Sequence, residues 1–228
     1  MYRLMILILF LWINMYSTHA QEGCNPQVND VRFDGEYDPE VSLRIYELYQ
    51  ADQAMREPNL DSDIEQLIAD DLARREEIIV YLQNGLITRA SDLYYSALIF
   101  QHGNCSEHYQ LASNLALQAY ELGYTNAGWL YTASTDRYLL SVGQVQRYGT
   151  QYTTNIQGNF VLCPVNLETT DTNRAEFGLP TLAELQERSV SFNELFETEP
   201  HQWANFHDIP FLGQILDTVI VLGQCFSF

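Results

Sequence analysis

Several charged side chains occupy positions where helical periodicity calls for apolar ones. At about 100° per residue, Asp52 falls within the stripe of Val41, Ile45, Leu48 and Met55. Asp71 and Arg75 fall inside the stripe made by Ile64, Ile68, Leu72, Ile78, Ile79 and Leu82. Asp136 sits among Trp129, Ala133 and Leu140, and Asp92 and His108 are placed similarly on two further helices. An inward charge is costly unless it is paired or hydrogen-bonded. Helices that each contribute one are therefore expected to partner one another in a shared interior or cleft. Asp71 and Arg75 stand four residues apart, the spacing at which an acid and a base meet on one helix. Two readings follow. The groups are salt bridges that fix helix register, or they line a pocket of carboxylates, arginine and histidine.

The stretch "DRYLLSVGQVQRYGTQY" sharpens the question, since it gathers Gln144, Gln146, Arg147, Thr150 and Gln151 around two glycines. A Gly-Thr-Gln turn offers backbone donors, a hydroxyl and an amide, a set suited to the rim of a site that binds a polar ligand. The alternative is that the Gln and Thr side chains cap a helix-to-strand corner. Upstream, a helix ending in Gln101-His102-Gly103 delivers an amide and an imidazole to a terminus where backbone groups are free. His102 is the candidate proton carrier, with Asp92 or Asp136 to orient it. Other chemistries lack their signatures: the chain has no Glu-x-x-His, no His-Glu-x-x-His, no Gly-x-Ser-x-Gly and no phosphate-cradling glycine loop. No metal ligand set and no cofactor are expected. Cys105 lies near His102 in sequence, and His201 and His207, which flank Trp203, read as ordinary loop residues.

Helices must position these groups. The first starts at Pro39, a residue suited to an opening turn, and "EPNLDSD" ends it. The second starts after Asp61 or Ser62 and stops at Gly85. A third runs from about Ser91 to His102-Gly103, a fourth from Ser106 to Gly123, and a fifth from Asn126 to Gly143. Helices joined by such short turns form antiparallel hairpins. "LASNLALQAYELGYTNAGWLYTASTDRYL" has the spacing of a tetratricopeptide or Sel1 helix pair, although that period does not repeat elsewhere. Beyond Gly149 two short strands are expected around 155–158, and "TTDTNRAEFGLPTLAELQER" reads as a capped short helix, a break and another helix. The last forty residues are aromatic and irregular, with a helix or strand near 215–222.

The first twenty residues carry Arg3, an apolar run and a Thr-His-Ala end. That pattern is a secretory signal rather than a membrane span, because the run is too short. Cleavage after Ala20 removes one basic and no acidic residue, so the exported chain is more negative still than the formal −19. Nucleic acid and anionic membrane surfaces are excluded as partners, since both need a basic face. All basic residues are arginine. Cys24, Cys105, Cys163 and Cys225 are widely spaced, so one or two structural disulfides are expected in an oxidising compartment. The expected organisation is a signal (1–20), a leader (21–38), a helical domain (39–187) and a tail packing on it (188–228).

The segments "YQADQAMRE" (49–57), "DLARREEIIVYLQNG" (71–85), "SDLYYSALIFQHG" (91–103), "LASNLALQAYELG", "DRYLLSVGQVQRYGTQY" and "TDTNRAEFGLP" occur in that order. Together they resemble the bacterial family catalogued as domain of unknown function 6624, over about residues 41–187. The most specific pieces are Gln-His-Gly at 101–103 and the pattern Gln146, Gly149, Thr150, Gln151. The family has no established activity, so the resemblance implies a fold and motif positions but no reaction. Its motifs and the inward-facing set share Asp52, Gln53, Asp71, Arg75, Asp92, His102, Asp136 and Arg137. The expectation is a mainly α exported domain of antiparallel helical hairpins with a small β-hairpin and one polar cleft. It is read as a binding module for a polar small molecule or peptide. The alternatives are a hydrolase-like enzyme using His102 with a carboxylate, and a purely structural secreted protein.

Overall fold

Asp38 accepts hydrogen bonds from the amides of Glu40 and Val41, and Pro39 follows it, so the first helix is capped where the sequence starts it. The computed structural model describes residues 31–56, 64–154 and 159–198. Within these lie α1 (Pro39–Ala54), α2 (Ile64–Gln83), α3 (Ala90–Gln101), α4 (Ser106–Glu121), α5 (Ala127–Ser141), β1 (Tyr152–Thr154), β2 (Phe160–Leu162), α6 (Asp171–Glu176) and α7 (Leu182–Thr198). The fold is mainly α with a two-stranded antiparallel sheet, pairing Tyr152 with Leu162 and Thr154 with Phe160. The expected signal, His201 and His207, and the segment near 215–222 lie outside the described residues. α7 runs through residue 188 without a break.

Ile45, Ile78, Leu82, Leu93, Phe100, Leu115 and Leu130 form the apolar centre where α1 to α5 meet. Truncating any of them to Ala would cost about 2–5 kcal/mol. Contacts between α4 and α5 run from Tyr120 with Gly128, through Ser113 with Thr135, to Tyr109 with Arg137. One index falls as the other rises, so the pair is antiparallel. Small residues allow this close approach: Ala112, Ala116, Ala119, Ala127 and Ala133 are fully buried. Tyr46, Tyr49, Tyr95, Tyr94 and Tyr124 form a chain of ring contacts along α1, α3 and the start of the α4–α5 turn.

Gly85, Gly123 and Gly143 have positive φ and stop their helices as expected. Gly103 serves a different purpose. A Cβ there would lie 2.4 Å from the Cβ of His108, so glycine lets the end of α3 pass against the first turn of α4. The stripe expected on α2 is corrected in part. Ile78 and Leu82 are buried, but Ile68 is 59% exposed and Leu72 is also exposed. The buried face of the helix's first half is polar instead, made by Asp71, Arg74 and Arg75. No helix among the described residues is long and apolar enough to cross a membrane.

Candidate functional site

The sequence-selected residues separate into three groups. The largest is a layer at the Gln101-His102 end of α3. Asp52, near the end of α1, receives His102 Nδ1 at 2.8 Å and Gln53 Nε2 at 2.9 Å on Oδ2. Its Oδ1 lies 2.9 Å from Arg56 Nη1. Arg56 reaches on to Asp71 Oδ2 at 2.8 Å, and Arg74 closes the other side of Asp71 at 2.7 Å. On the far side of α3, Gln101 accepts from Ser134 Oγ at 2.6 Å through Oε1 and from Arg137 Nη1 through its backbone carbonyl. The guanidinium of Arg137 also stands 5.5 Å over the ring of Tyr109. Asp52, Gln53, Asp71 and His102 are thus joined through Arg56 into one linked set, while Gln101 and Arg137 are joined to each other across α3.

Burial pushes the Asp52 carboxyl up, but His102, Arg56 and Gln53 together outweigh it and hold its pKa below the ordinary carboxylate range. Asp71 does not pair with Arg75, contrary to the i,i+4 expectation. Its partners are Arg74, one residue earlier, and Arg56 across the α1–α2 corner. The Nε of Arg75 is buried with no hydrogen-bond partner, and no salt bridge reaches the side chain among the described residues. Burial lowers its pKa, with Asp71 and Asp52 opposing from a distance.

The second group is a corner built on Asp136. Its Oδ1 accepts the amides of Arg147 at 2.6 Å and Tyr148 at 2.8 Å. Its Oδ2 accepts the amide and hydroxyl of Thr150, at 2.9 and 2.8 Å. Burial drives the Asp136 carboxyl up against the pull of these donors. Gln146 donates to the carbonyls of Gln151 and Cys163 and accepts the Gln151 amide. Gln151 in turn donates to the carbonyl of Ala133. Gln146, Thr150 and Gln151 are buried, so the rim reading of this stretch is corrected: the side chains cap the helix-to-strand corner. Arg147 is exposed and leans over the Tyr148 ring.

The third group is Asp92 alone, held by Ser42 and Ser91 at 2.9 and 3.0 Å. Neither Asp92 nor Asp136 orients His102, as the enzyme reading expected; Asp52 does. The His102 side chain is only 4% exposed, so the pair is closed to solvent.

Comparison with family models, with curated proteins and with solved structures returns no match. The site is therefore read from its own geometry.

Sequence reasoning missed Arg56, Arg74 and Tyr109. Arg56 is i+4 from Asp52 and Arg74 is i+3 from Asp71, so the same spacing rule would have found both. Two surface depressions, about 290 and 360 Å³, are lined by Val161, Pro164, Leu182 and Ser189, and by Phe33, Ile87, Leu93 and Leu122. Neither touches the layer. No group of three or more His, Cys, Asp or Glu among the described residues is placed to hold a metal. Cys105 and Cys163 are both buried, and neither is free.

Proposed function

We propose that this chain is an exported binding module whose ligand, a polar small molecule or peptide, is recognised at the layer formed by Asp52, Arg56, Asp71, Arg74, Arg75 and His102. One observation carries the reading: the Nε of Arg75 is buried without a hydrogen-bond partner, and no salt bridge among the described residues reaches this side chain, whereas Asp52, Arg56, Asp71 and Arg74 at the α1–α2 corner are linked by ion pairs. A layer serving helix register alone gains nothing from such a group, because an unpaired buried charge is among the costlier features a core can hold. A binding site keeps it for the ligand. Export rests on the signal-like first twenty residues, and bridging of the four cysteines belongs to the same proposal. So does membership in the family that the ordered motifs resemble.

The test is a thermal-shift screen of the purified protein against metabolites, glycans and peptides. A concentration-dependent rise in Tm that Arg75→Gln abolishes supports the reading. If no class of compound moves the Tm, the reading is wrong.

A second reading, a hydrolase-like enzyme, draws on the 2.8 Å contact between His102 Nδ1 and Asp52, which would fix the imidazole tautomer. It requires His102→Ala to abolish turnover of some hydrolysable substrate while the fold survives.

A further inference from the structure

Cys163 lines the depression beside β2, together with Val161 of the strand, Pro164, Val165 and Leu167 after it, and Leu182 of α7. No charged residue borders this space of about 290 Å³, a volume at the lower end of small-molecule sites. Cys163 itself is buried and is not a free thiol. Cys105 is not free either, yet no two described cysteines stand at disulfide distance. The chain holds four cysteines in all. Each of these two therefore has Cys24 or Cys225 left as its partner within the chain.

The fold decides between them. Arg32 is tied to the Leu82 carbonyl of α2, and Phe33 lies with Gln118 and Leu122 at the other depression. α4 meets α5 through Ser113 and Tyr120, and at 100° per residue Gln118 and Leu122 turn away from that contact. α5 meets the β segment through another face, where the Ala133 carbonyl accepts from Gln151, whose own carbonyl takes the Cys163 amide. Two helix thicknesses, about 20 Å, therefore separate Phe33 from Cys163. Cys24 stands eight residues before Arg32, at most about 28 Å of extended chain, which is too short to go round both helices. Cys105, at the N-cap of α4, lies about 20 Å along the helix from Gln118 with no helix between. Cys225 meets no such limit. α7 sets Leu182, Gln186 and Ser189 along the depression, and Asn193 exchanges hydrogen bonds with the Phe160 backbone, so the helix follows β2 towards its end at Thr198. From Thr198 to Cys225 is 27 residues, while the way back to Ser189 is about 14 Å. Shortly before Cys225 the sequence reads VIVL (219–222), an uncharged apolar run that needs cover.

We propose that the depression between β2 and α7 is the seat of the chain's own C-terminal segment, with the run 219–222 packed into it and a Cys163–Cys225 disulfide holding it there; Cys24 then pairs with Cys105. Forming each bond takes two protons and two electrons from a pair of thiols, and both pass to a disulfide oxidant of the export compartment, which leaves as a dithiol. The proposal rests on the export part of the reading above and not on the ligand. Protein recovered from an oxidising compartment, alkylated and digested without reduction, tests the pairing by mass spectrometry of the linked peptides. A peptide bearing Cys163 joined to one bearing Cys225 of the same chain is expected. Cys163 linked to Cys24 or Cys105, or linked between two chains, overturns the bridge alone. Four alkylated thiols overturn it together with the export reading. Hydrogen exchange tests the seat: in the full chain carrying Ile220→Asp and Leu222→Asp, with Cys225 intact, amides between 161 and 167 are expected to exchange at least tenfold faster while those of α4 and α5 keep their rates. Unchanged exchange between 161 and 167 overturns the seat even where the bridge is found. The mapping uses the unaltered chain, so a variant that fails to fold leaves the proposal refutable.

Discussion

Replacing Asp136 by Asn tests whether the Gln-x-x-Gly-Thr-Gln segment is architecture. The carboxylate accepts four hydrogen bonds, two per oxygen, and is fully buried. An asparagine can keep one oxygen for the amides of Arg147 and Tyr148. Its NH₂ must then face the Thr150 amide, donor against donor. The Thr150 hydroxyl can rotate to accept, but the amide cannot. Stranding that buried N–H costs about 1–3 kcal/mol. Loss of charge assistance in the two remaining bonds adds about 1 kcal/mol. Relief of carboxylate desolvation, the cause that raises the Asp136 pKa, returns part of this. The net loss expected is about 1–3 kcal/mol, or a fall of roughly 0.3–3 M in the urea midpoint for a slope of about 1–3 kcal/mol/M. Equilibrium urea unfolding of the two proteins measures it. A loss below about 0.5 kcal/mol, or a gain, would refute the reasoning, because polar residues kept for a ligand rather than for the fold are neutral or stabilising when removed.

Two further predictions concern the end of α3. Gly103→Ala sets a methyl 2.4 Å from His108 Cβ and 2.6 Å from its Nδ1, atoms held by the first turn of α4. It should cost about 1–3 kcal/mol in the same urea assay, whereas relief of chain entropy alone would make it stabilising. His108 has a folded pKa near 4 against an ordinary 6.5, so the unfolded chain binds more protons between those values and stability falls as pH drops from 6.5 towards 4. The wild type should lose up to ~3 kcal/mol relative to His108→Gln across that window and nothing above pH 7, a difference that paired denaturation curves at pH 4.5 and 7 would show.

Much of the helical frame was legible because local signals agreed. Pro39 and the positive-φ glycines at 85, 123 and 143 mark the ends of helices whose apolar spacing is clear. Inward charge was legible for Asp52, Asp71 and Asp136 because a wheel needs only the chain's own periodicity. Pairing was not. Asp71 could meet an arginine three or four residues on, and which one it chose depended on Arg56 arriving from α1. Ile68 and Leu72 show the same limit: periodicity finds a stripe, but the neighbours that would cover it are a tertiary matter. The polar stretch from Asp136 to Tyr152 misled for a subtler reason. Gln146 and Gln151 donate to backbone carbonyls and Thr150 to the Asp136 carboxylate just as a rim would donate to a ligand, and composition cannot tell one acceptor from the other. Gly103 looked like a helix stop and proved to be a point of clearance.

The Asp136 corner also acts as a ruler. One carboxylate on α5 grips amides eleven, twelve and fourteen positions downstream, so the length of chain between them is set to the residue. An added residue between Val142 and Gln146 would slide every one of those amides off its mark, and the strand pair beyond would inherit the offset. Evolution can lengthen most surface connections at little expense; this one is a gauge, and variants of the chain that keep the fold should keep its count.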